Sequence, residues 1–278
     1  MIPLVLGTLA SASFNLVARW AQIRKANLLT VGAINYTTAA LVFALLSALL
    51  SPRRPSATTL AIGVCGGACY VTAYLFLLPA LRMRGVSIAS ALVRLSVLVP
   101  IGLSLVLWNE QPTLLQTIGI VLAVASLPLL GYRPGGMLTA GWREYSVLGC
   151  LFLLNGLCGT TLKVFQEHGN PADRLLMLMF LFATAAGIAL AACVAEREPI
   201  QRRDWAPGLL LGACNVFGNL LLLVALHRIA GVIVFPFSSS AGLLYTVVVA
   251  HRLWGERMIP TEKAGILLAV VAVVLVVG

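Results

Sequence analysis

Residues 63–81, GVCGGACYVTAYLFLLPAL, align without gaps onto residues 208–226, GLLLGACNVFGNLLLLVAL. Gly63, Gly67, Ala68, Cys69, Val71, Leu75, Leu77, Leu78, Ala80 and Leu81 recur, ten of the nineteen positions. After one extra residue, block 85–124 matches 231–270, repeating Gly85, Val86, Leu98, Leu107, Trp108, Glu110, Gly119, Ile120, Leu122, Ala123 and Val124. Leucine and alanine matches are cheap in so apolar a chain. The shared Gly-x-x-x-Gly-Ala-Cys and Leu-Trp-x-Glu-x8-Gly-Ile are not, and they fall in the same order. The chain is therefore two copies of one unit of about 145 residues. Glycines four apart make a flat helix face, so the helices carrying them are expected to pack closely on neighbours.

Around these blocks the chain is 60% apolar, with a mean hydropathy of +0.99. Only 28 of 278 residues are charged, against the ~25% of an ordinary soluble domain. Cutting at charges and Pro/Gly clusters leaves ten apolar windows: 2–20, 29–50, 58–79, 86–107, 113–131, 147–165, 175–195, 206–226, 231–250 and 262–278. Each approaches the ~17–25 residues that a helix needs to cross the hydrocarbon. Backbone groups in lipid must be satisfied internally, which leaves helices or a closed barrel. Runs such as AGILLAVVAVVLVVG (264–278) do not alternate as barrel strands do. The expected fold is an all-α integral membrane protein with ten transmembrane helices.

Several other classes are excluded. Buried strands of a soluble α/β protein run four to eight residues between amphipathic helices, and windows of about twenty leave no room for them. The net charge of +10 comes from bases scattered through short connections, such as Arg53–Arg54 and Arg202–Arg203, without the aromatic interleaving of a nucleic-acid surface. LASAS at 9–13 could pass for a cleavage site, but no basic region precedes it, and the first window reads as a retained helix. Cys65, Cys69, Cys150, Cys158, Cys193 and Cys214 all fall inside windows at spacings that suit packing, not a metal or a disulfide framework. His168, His227 and His251 do not cluster. No metal, cofactor or nucleotide-binding loop is expected, and no catalytic residues.

Each copy holds five windows. An odd number makes the second copy enter the membrane from the opposite side, giving two inverted five-helix repeats. Their expected bounds are 1–132 and 145–278, with 133–144 connecting them. Exchanging the conformations of two inverted halves turns an inward opening into an outward one, the geometry of alternating access.

The two junctions VLWNEQPTLLQTIGIVLAV (106–124) and RLWGERMIPTEKAGILLAV (252–270) resemble those of the drug/metabolite transporter superfamily, specifically its ten-helix members with two EamA-type domains. The second carries the Gly-Glu-Arg turn followed by a proline. The first departs from it at Asn109 and Gln111, and its Pro112 comes two residues earlier. The resemblance implies a carrier of a small metabolite such as an amino acid, with helices one, three, four, six, eight and nine lining the pathway. It says nothing of which solute. From the residues alone, Glu110 and Glu256 are expected to accept hydrogen bonds from the free N–H groups of the helix that follows each, and Trp108 and Trp254 to anchor at the interface.

Polar residues inside the windows mark where a solute could sit. They include Asn15, Asn35, Asn155, Lys163 and the cluster Ser238, Ser239 and Ser240. The repeat sets Tyr70 against Asn215 and Tyr74 against Asn219, and within each half the two residues lie four apart on one helix face. Such a face either lines a pathway or glues helices together by interhelical hydrogen bonds. Pro100 and Pro236 are expected to kink their helices. All nine carboxylates fall in loops or at window ends, so no buried relay for protons or sodium site is expected. That leaves a uniporter or facilitated exporter, or coupling carried by the solute. A channel or scaffold is the alternative, and an intramembrane enzyme a more distant one, lacking a paired acid/base constellation.

An even number of helices puts both termini on one side of the cell membrane. With the termini inside, the inner connections would carry five Lys/Arg and the outer ones thirteen, so the positive-inside rule favours termini outside. The family resemblance implies termini inside, and the side stays open. The protein is expected to be a monomer in contact with lipid, with a dimer as the alternative.

Arg94 carries the boldest expectation. It lies nine residues into the window 86–107, and a charge that deep costs several kcal/mol unless it faces a wet cavity. No carboxylate inside a window can pair with it, so its partner is a helix carbonyl end, an anion or the carboxylate of a solute. The repeat sets Ser240 opposite it.

Overall fold

The computed structural model describes residues 1–50, 54–131, 142–254 and 260–277. Those residues form ten α-helices and one 3-10 turn, and no strand is found among them. The first half contains α1 (Ile2–Ile23), α2 (Leu28–Leu50), α3 (Ala57–Leu95), α4 (Leu98–Leu107) and α5 (Leu114–Gly131). The second contains α6 (Trp142–His168), α7 (Arg174–Ala195), α8 (Arg202–Leu226), α9 (Gly231–Trp254) and α10 (Pro260–Val277). Seven helical stretches are long and apolar enough to cross a membrane, in α1, α2, α3 and α6–α9, while those in α4, α5 and α10 are shorter. Large side chains stand exposed in stripes, as Leu41, Leu45 and Leu49 do on α2, a surface that suits lipid rather than water.

One boundary differs from expectation. Windows 58–79 and 86–107 were to be separate helices, yet α3 continues to Leu95 and the interruption falls at Ser96–Val97, inside the second window. The cause is Pro100. Its ring has no N–H to give and crowds the carbonyl four residues back, which belongs to Ser96. That carbonyl takes the Val99 N–H at 3.0 Å instead, in a 3-10 turn, and the Ser96 hydroxyl bonds back to the Val93 carbonyl at 2.6 Å. By contrast α9 continues through Pro236 without interruption.

The packing repeats when each helix is exchanged for the one five places on. α1 lies on α8 as α6 lies on α3, α2 on α8 as α7 on α3, while α2–α7 and α5–α10 pair with each other. The glycine faces do what their spacing indicated. A Cβ at Gly63 would meet the Phe180 Cβ at 2.7 Å and the Met177 carbonyl at 2.9 Å of α7. At the equivalent Gly208 it would meet the Ile34 Cβ at 2.6 Å and the Val31 carbonyl at 3.2 Å of α2. At the centre, Phe182 of α7 is fully buried, stacked on Phe43 at 5.7 Å and edge-on to Tyr70 at 6.0 Å.

Two buried carboxylates tie helix starts together, one in each of the pairs α2–α8 and α3–α7. Asp204, near the start of α8, accepts from Asn27 N (3.0 Å) and Thr30 Oγ1 (2.8 Å) at the start of α2, and from Gln201 N (2.9 Å). Asp173, at the start of α7, accepts from Ser56 N (3.4 Å) and Thr59 Oγ1 (3.1 Å) at the start of α3. Each charge thus sits where two helix dipoles are positive. Asp204→Ala leaves three donors without their acceptor, at about 1–3 kcal/mol for each that stays buried. The expected result is a clear drop in thermal midpoint in detergent, with a smaller drop for the exposed Glu198→Ala; equal midpoints would refute the role given to Asp204.

Candidate solute cavity

A cavity of about 330 Å³ lies between the two halves. From the first half it is lined by Ser11, Phe14 and Asn15 of α1, Tyr70 and Tyr74 of α3, and Pro100 of α4. From the second it takes Asn155, Cys158 and Gly159 of α6, Asn215 and Asn219 of α8, and Ser238 and Ser239 of α9. The α1 and α6 linings have identical spacing, since residues 11, 14 and 15 plus 144 give 155, 158 and 159. Of the sequence candidates, Tyr70, Tyr74, Asn15, Asn155, Asn215, Asn219 and Ser239 therefore meet around one space. Ser240 does not. It is fully buried, with its hydroxyl 3.4 Å from the Ala123 carbonyl of α5, because one step along a helix turns the side chain about 100° from Ser239. The side chains of Arg94 and Trp254, and residue Glu256, lie outside the described residues. Val93, Ser96 and Val97, around Arg94, line the cavity.

The polar lining divides into saturated and unpaired groups. The Tyr70 hydroxyl donates to Asn219 Oδ1 at 2.7 Å, and Asn219 Nδ2 donates to the Asn215 carbonyl at 3.0 Å. Asn215 Nδ2 in turn donates to Asn35 Oδ1 at 2.9 Å, which is fully buried in α2. Tyr74 donates to the Leu28 carbonyl. These tyrosines and amides form a wall spanning α3, α8 and α2 whose hydrogen bonds are mostly spent on one another. Asn15, Asn155, Ser238 and Ser239 are half-buried and make no side-chain hydrogen bond among the described residues. They present donors and acceptors to whatever enters.

One helical turn beyond Gly159 of the cavity lining, α6 carries a charge cluster that the sequence did not reveal. Lys163 of α6 is 2% exposed, and its ammonium group donates to Glu110 Oε1 (2.6 Å), Gln166 Oε1 (2.7 Å) and Glu167 Oε1 (2.6 Å). It also sits 5.6 Å from the centre of the half-buried Trp108 ring. Glu110 accepts in addition from Gly231 N (3.0 Å) and Val232 N (2.9 Å). Capping of α5 by Glu110 is thereby corrected, since the carboxylate caps α9, in the other half of the molecule. The start of α5 has its own cap, with Thr113 N bonded to Gln116 Oε1 at 3.0 Å and Gln116 N to Thr113 Oγ1 at 3.3 Å. Burial pushes the Glu110 pKa up, but Lys163 and the two N–H groups outweigh it and hold the carboxyl below its ordinary range. The carboxylate therefore stays charged at neutral pH, and the cluster weakens only as pH falls through that lowered value. Asn109 takes φ 50°, the left-handed conformation that favours glycine, so its replacement of the glycine in the other junction leaves the turn intact.

Two halves packed in matching pairs around a central cavity are what a duplicated carrier would show, and the comparison with known families bears on this directly. The model of the EamA-like transporter family matches residues 1–132 and 145–278. The chain belongs to the EamA-like transporter family. It is accordingly a multi-pass membrane protein, consistent with the drug/metabolite transporter superfamily. A solved crystal structure of a protein 15% identical to this EamA-like chain superposes with a TM-score of 0.78, covering 98% of each chain, and so shares its fold. No curated protein matches.

Proposed function

We propose that this EamA-like protein is a secondary transporter that moves a small, carboxylate-bearing or amino-acid-like solute by alternating access, in the direction of export. The observation that carries the reading is the cavity of about 330 Å³ built equally from both halves and edged with unpaired amides and hydroxyls. Its size suits a metabolite rather than a macromolecule. On this reading the chain crosses the cell membrane ten times as two inverted units, 1–132 and 145–278, with both termini on one face. The exchange symmetry of the helix pairs supports that arrangement. The exporter acts as a monomer, with α5 and α10 at its lipid-facing edge.

The decisive experiment is counterflow in liposomes across neutral, anionic and cationic metabolites. Unlabelled solute inside should accelerate uptake of labelled solute, and a channel would show no such stimulation. Asn155→Ala is expected to raise the apparent KM about 3–10-fold by removing hydrogen bonds worth about 0.5–1.5 kcal/mol, with little change in folding. Tyr70→Phe, by contrast, should reduce stability along with transport, because its hydroxyl supports the wall. If Asn155→Ala left transport of every solute unchanged, the unpaired amides would not be the contact points.

A further inference from the structure

Two connections on one face of the molecule are tied into a knot that the solute cavity does not use. Asn27, between α1 and α2, donates through Nδ2 to Glu198 Oε2 (2.7 Å), between α7 and α8. Its backbone N–H donates to Asp204 Oδ1 of α8 at 3.0 Å. Arg24 and Lys25 lie within three residues of Asn27, and Arg197, Arg202 and Arg203 within two residues of those carboxylates. All five bases are exposed. The nearby acids are spent elsewhere: Asp204 is buried and accepts from Asn27, Thr30 and Gln201, and Glu198 accepts from Asn27. Among the described residues none of the five bases forms an ion pair with these acids or with exposed Glu196.

The helices that enter the knot end alike. The Lys25 N–H bonds the Gln22 carbonyl at 2.9 Å and the Ala26 N–H the Ala21 carbonyl at 3.0 Å, closing α1. Arg197 and Glu198 repeat this on the Val194 (3.1 Å) and Cys193 (2.9 Å) carbonyls, closing α7. Such a closure puts the residue just past the helix in the left-handed region, where glycine is the usual choice. Here that position holds Lys25 (φ 54°) and Arg197 (φ 53°). Arg202 and Arg203 open α8, at the positive end of its dipole, where a cation is disfavoured. The local fold therefore does not account for these four charges.

The surroundings indicate what they meet. Ile23, Ile200 and Trp205 stand exposed within a few residues of the bases, and Arg24 lies 4.2 Å over the ring of Trp20. Indole and apolar side chains at the ends of membrane helices mark the headgroup level, and bases at that level attract anionic headgroups. We infer that this knot is a binding surface for an anionic phospholipid of the surrounding bilayer. Lys25, Arg197, Arg202 and Arg203 receive the headgroup phosphate, for which the guanidinium forks supply paired donors, and the exposed apolar residues meet the chains. The surface is independent of the solute cavity, and its test needs no solute.

The test titrates the full-length protein in non-ionic detergent with phosphatidylglycerol or phosphatidylcholine of the same acyl chains, counting bound lipid by native mass spectrometry. The unaltered protein is expected to hold phosphatidylglycerol at least about fivefold more tightly. Arg202→Gln with Arg203→Gln should remove that preference and leave phosphatidylcholine unchanged. Lys25→Gln with Arg197→Gln serves if that pair does not fold. Arg228→Gln, an exposed base at the opposite ends of these helices, should keep the preference. Equal binding of the two lipids, a preference that survives the double variant, or one lost equally in Arg228→Gln overturns the inference. So does displacement of the lipid by millimolar glycerol phosphate, which would make this a site for a soluble phosphate.

Discussion

Replacing Gly67 by leucine is expected to abolish recovery of folded protein. A Cβ at this position already lies against the Leu181 carbonyl oxygen and would be 2.8 Å from the Thr184 Cβ, so the obstacle is the backbone of α7 and not a side chain that could rotate away. Added methylenes in a packed interior cost about 1–3 kcal/mol where neighbours can adjust. Here α3 and α7 must separate along their contact, and the loss should approach the whole ~5–15 kcal/mol that holds a protein folded. Gly212 is its repeat-related partner, with Thr38 Cβ at 2.7 Å and the Asn35 carbonyl at 3.0 Å of α2. Gly67→Leu and Gly212→Leu should therefore fail alike. Gly187 on α7 has no atom within 4 Å of a Cβ and is exposed, so Gly187→Leu is the control for a glycine facing lipid. Size-exclusion profiles in detergent decide the matter, and a monodisperse Gly67→Leu peak at normal yield would refute the close-packing account.

That prediction rests on a feature readable before any coordinates. Gly-x-x-x-Gly recurring at a fixed offset announces a close helix contact, because only small residues allow backbones to approach. The seven tyrosines, amides and serine that meet around the cavity were legible for a related reason, since a polar group in an apolar window is costly unless it is paired or wetted. What stayed hidden depends on distances along the chain that no local pattern encodes. Glu110 lies four residues before α5 in sequence, yet it caps α9, over a hundred residues away. Nothing near it in sequence reports that the start of α9 lies closer in space. Lys163 appeared only as one polar residue among others, because its three acceptors come together through the fold. The boundary at Ser96–Val97 could have been found: Pro100 sits four residues on, and the ring's conflict with that carbonyl is local. Gly85, which matched the start of α9, drew the boundary to the wrong place.

The same reasoning about cost makes Arg94→Ala the functional prediction of largest effect. The window 86–107 offers this cation no carboxylate, and Val93, Ser96 and Val97 on either side of it line the cavity. We propose that its guanidinium receives the carboxylate of the solute, for which the planar fork supplies two parallel donors. A hydrogen bond to a charged group is worth about 1.5–3 kcal/mol, so losing two should remove measurable uptake at concentrations that saturate the unaltered protein. Arg94→Lys retains the charge without the fork and should recover only part of the rate. A structural arginine satisfied by helix carbonyls would also reduce transport when removed, and the two roles separate through the solute. Converting the solute carboxylate to an amide should weaken binding strongly to the unaltered protein and hardly at all to Arg94→Ala, measured by competition in liposomes. If the amide loses equally in both proteins, Arg94 does not meet the carboxylate, and its charge serves the helix around Pro100 instead.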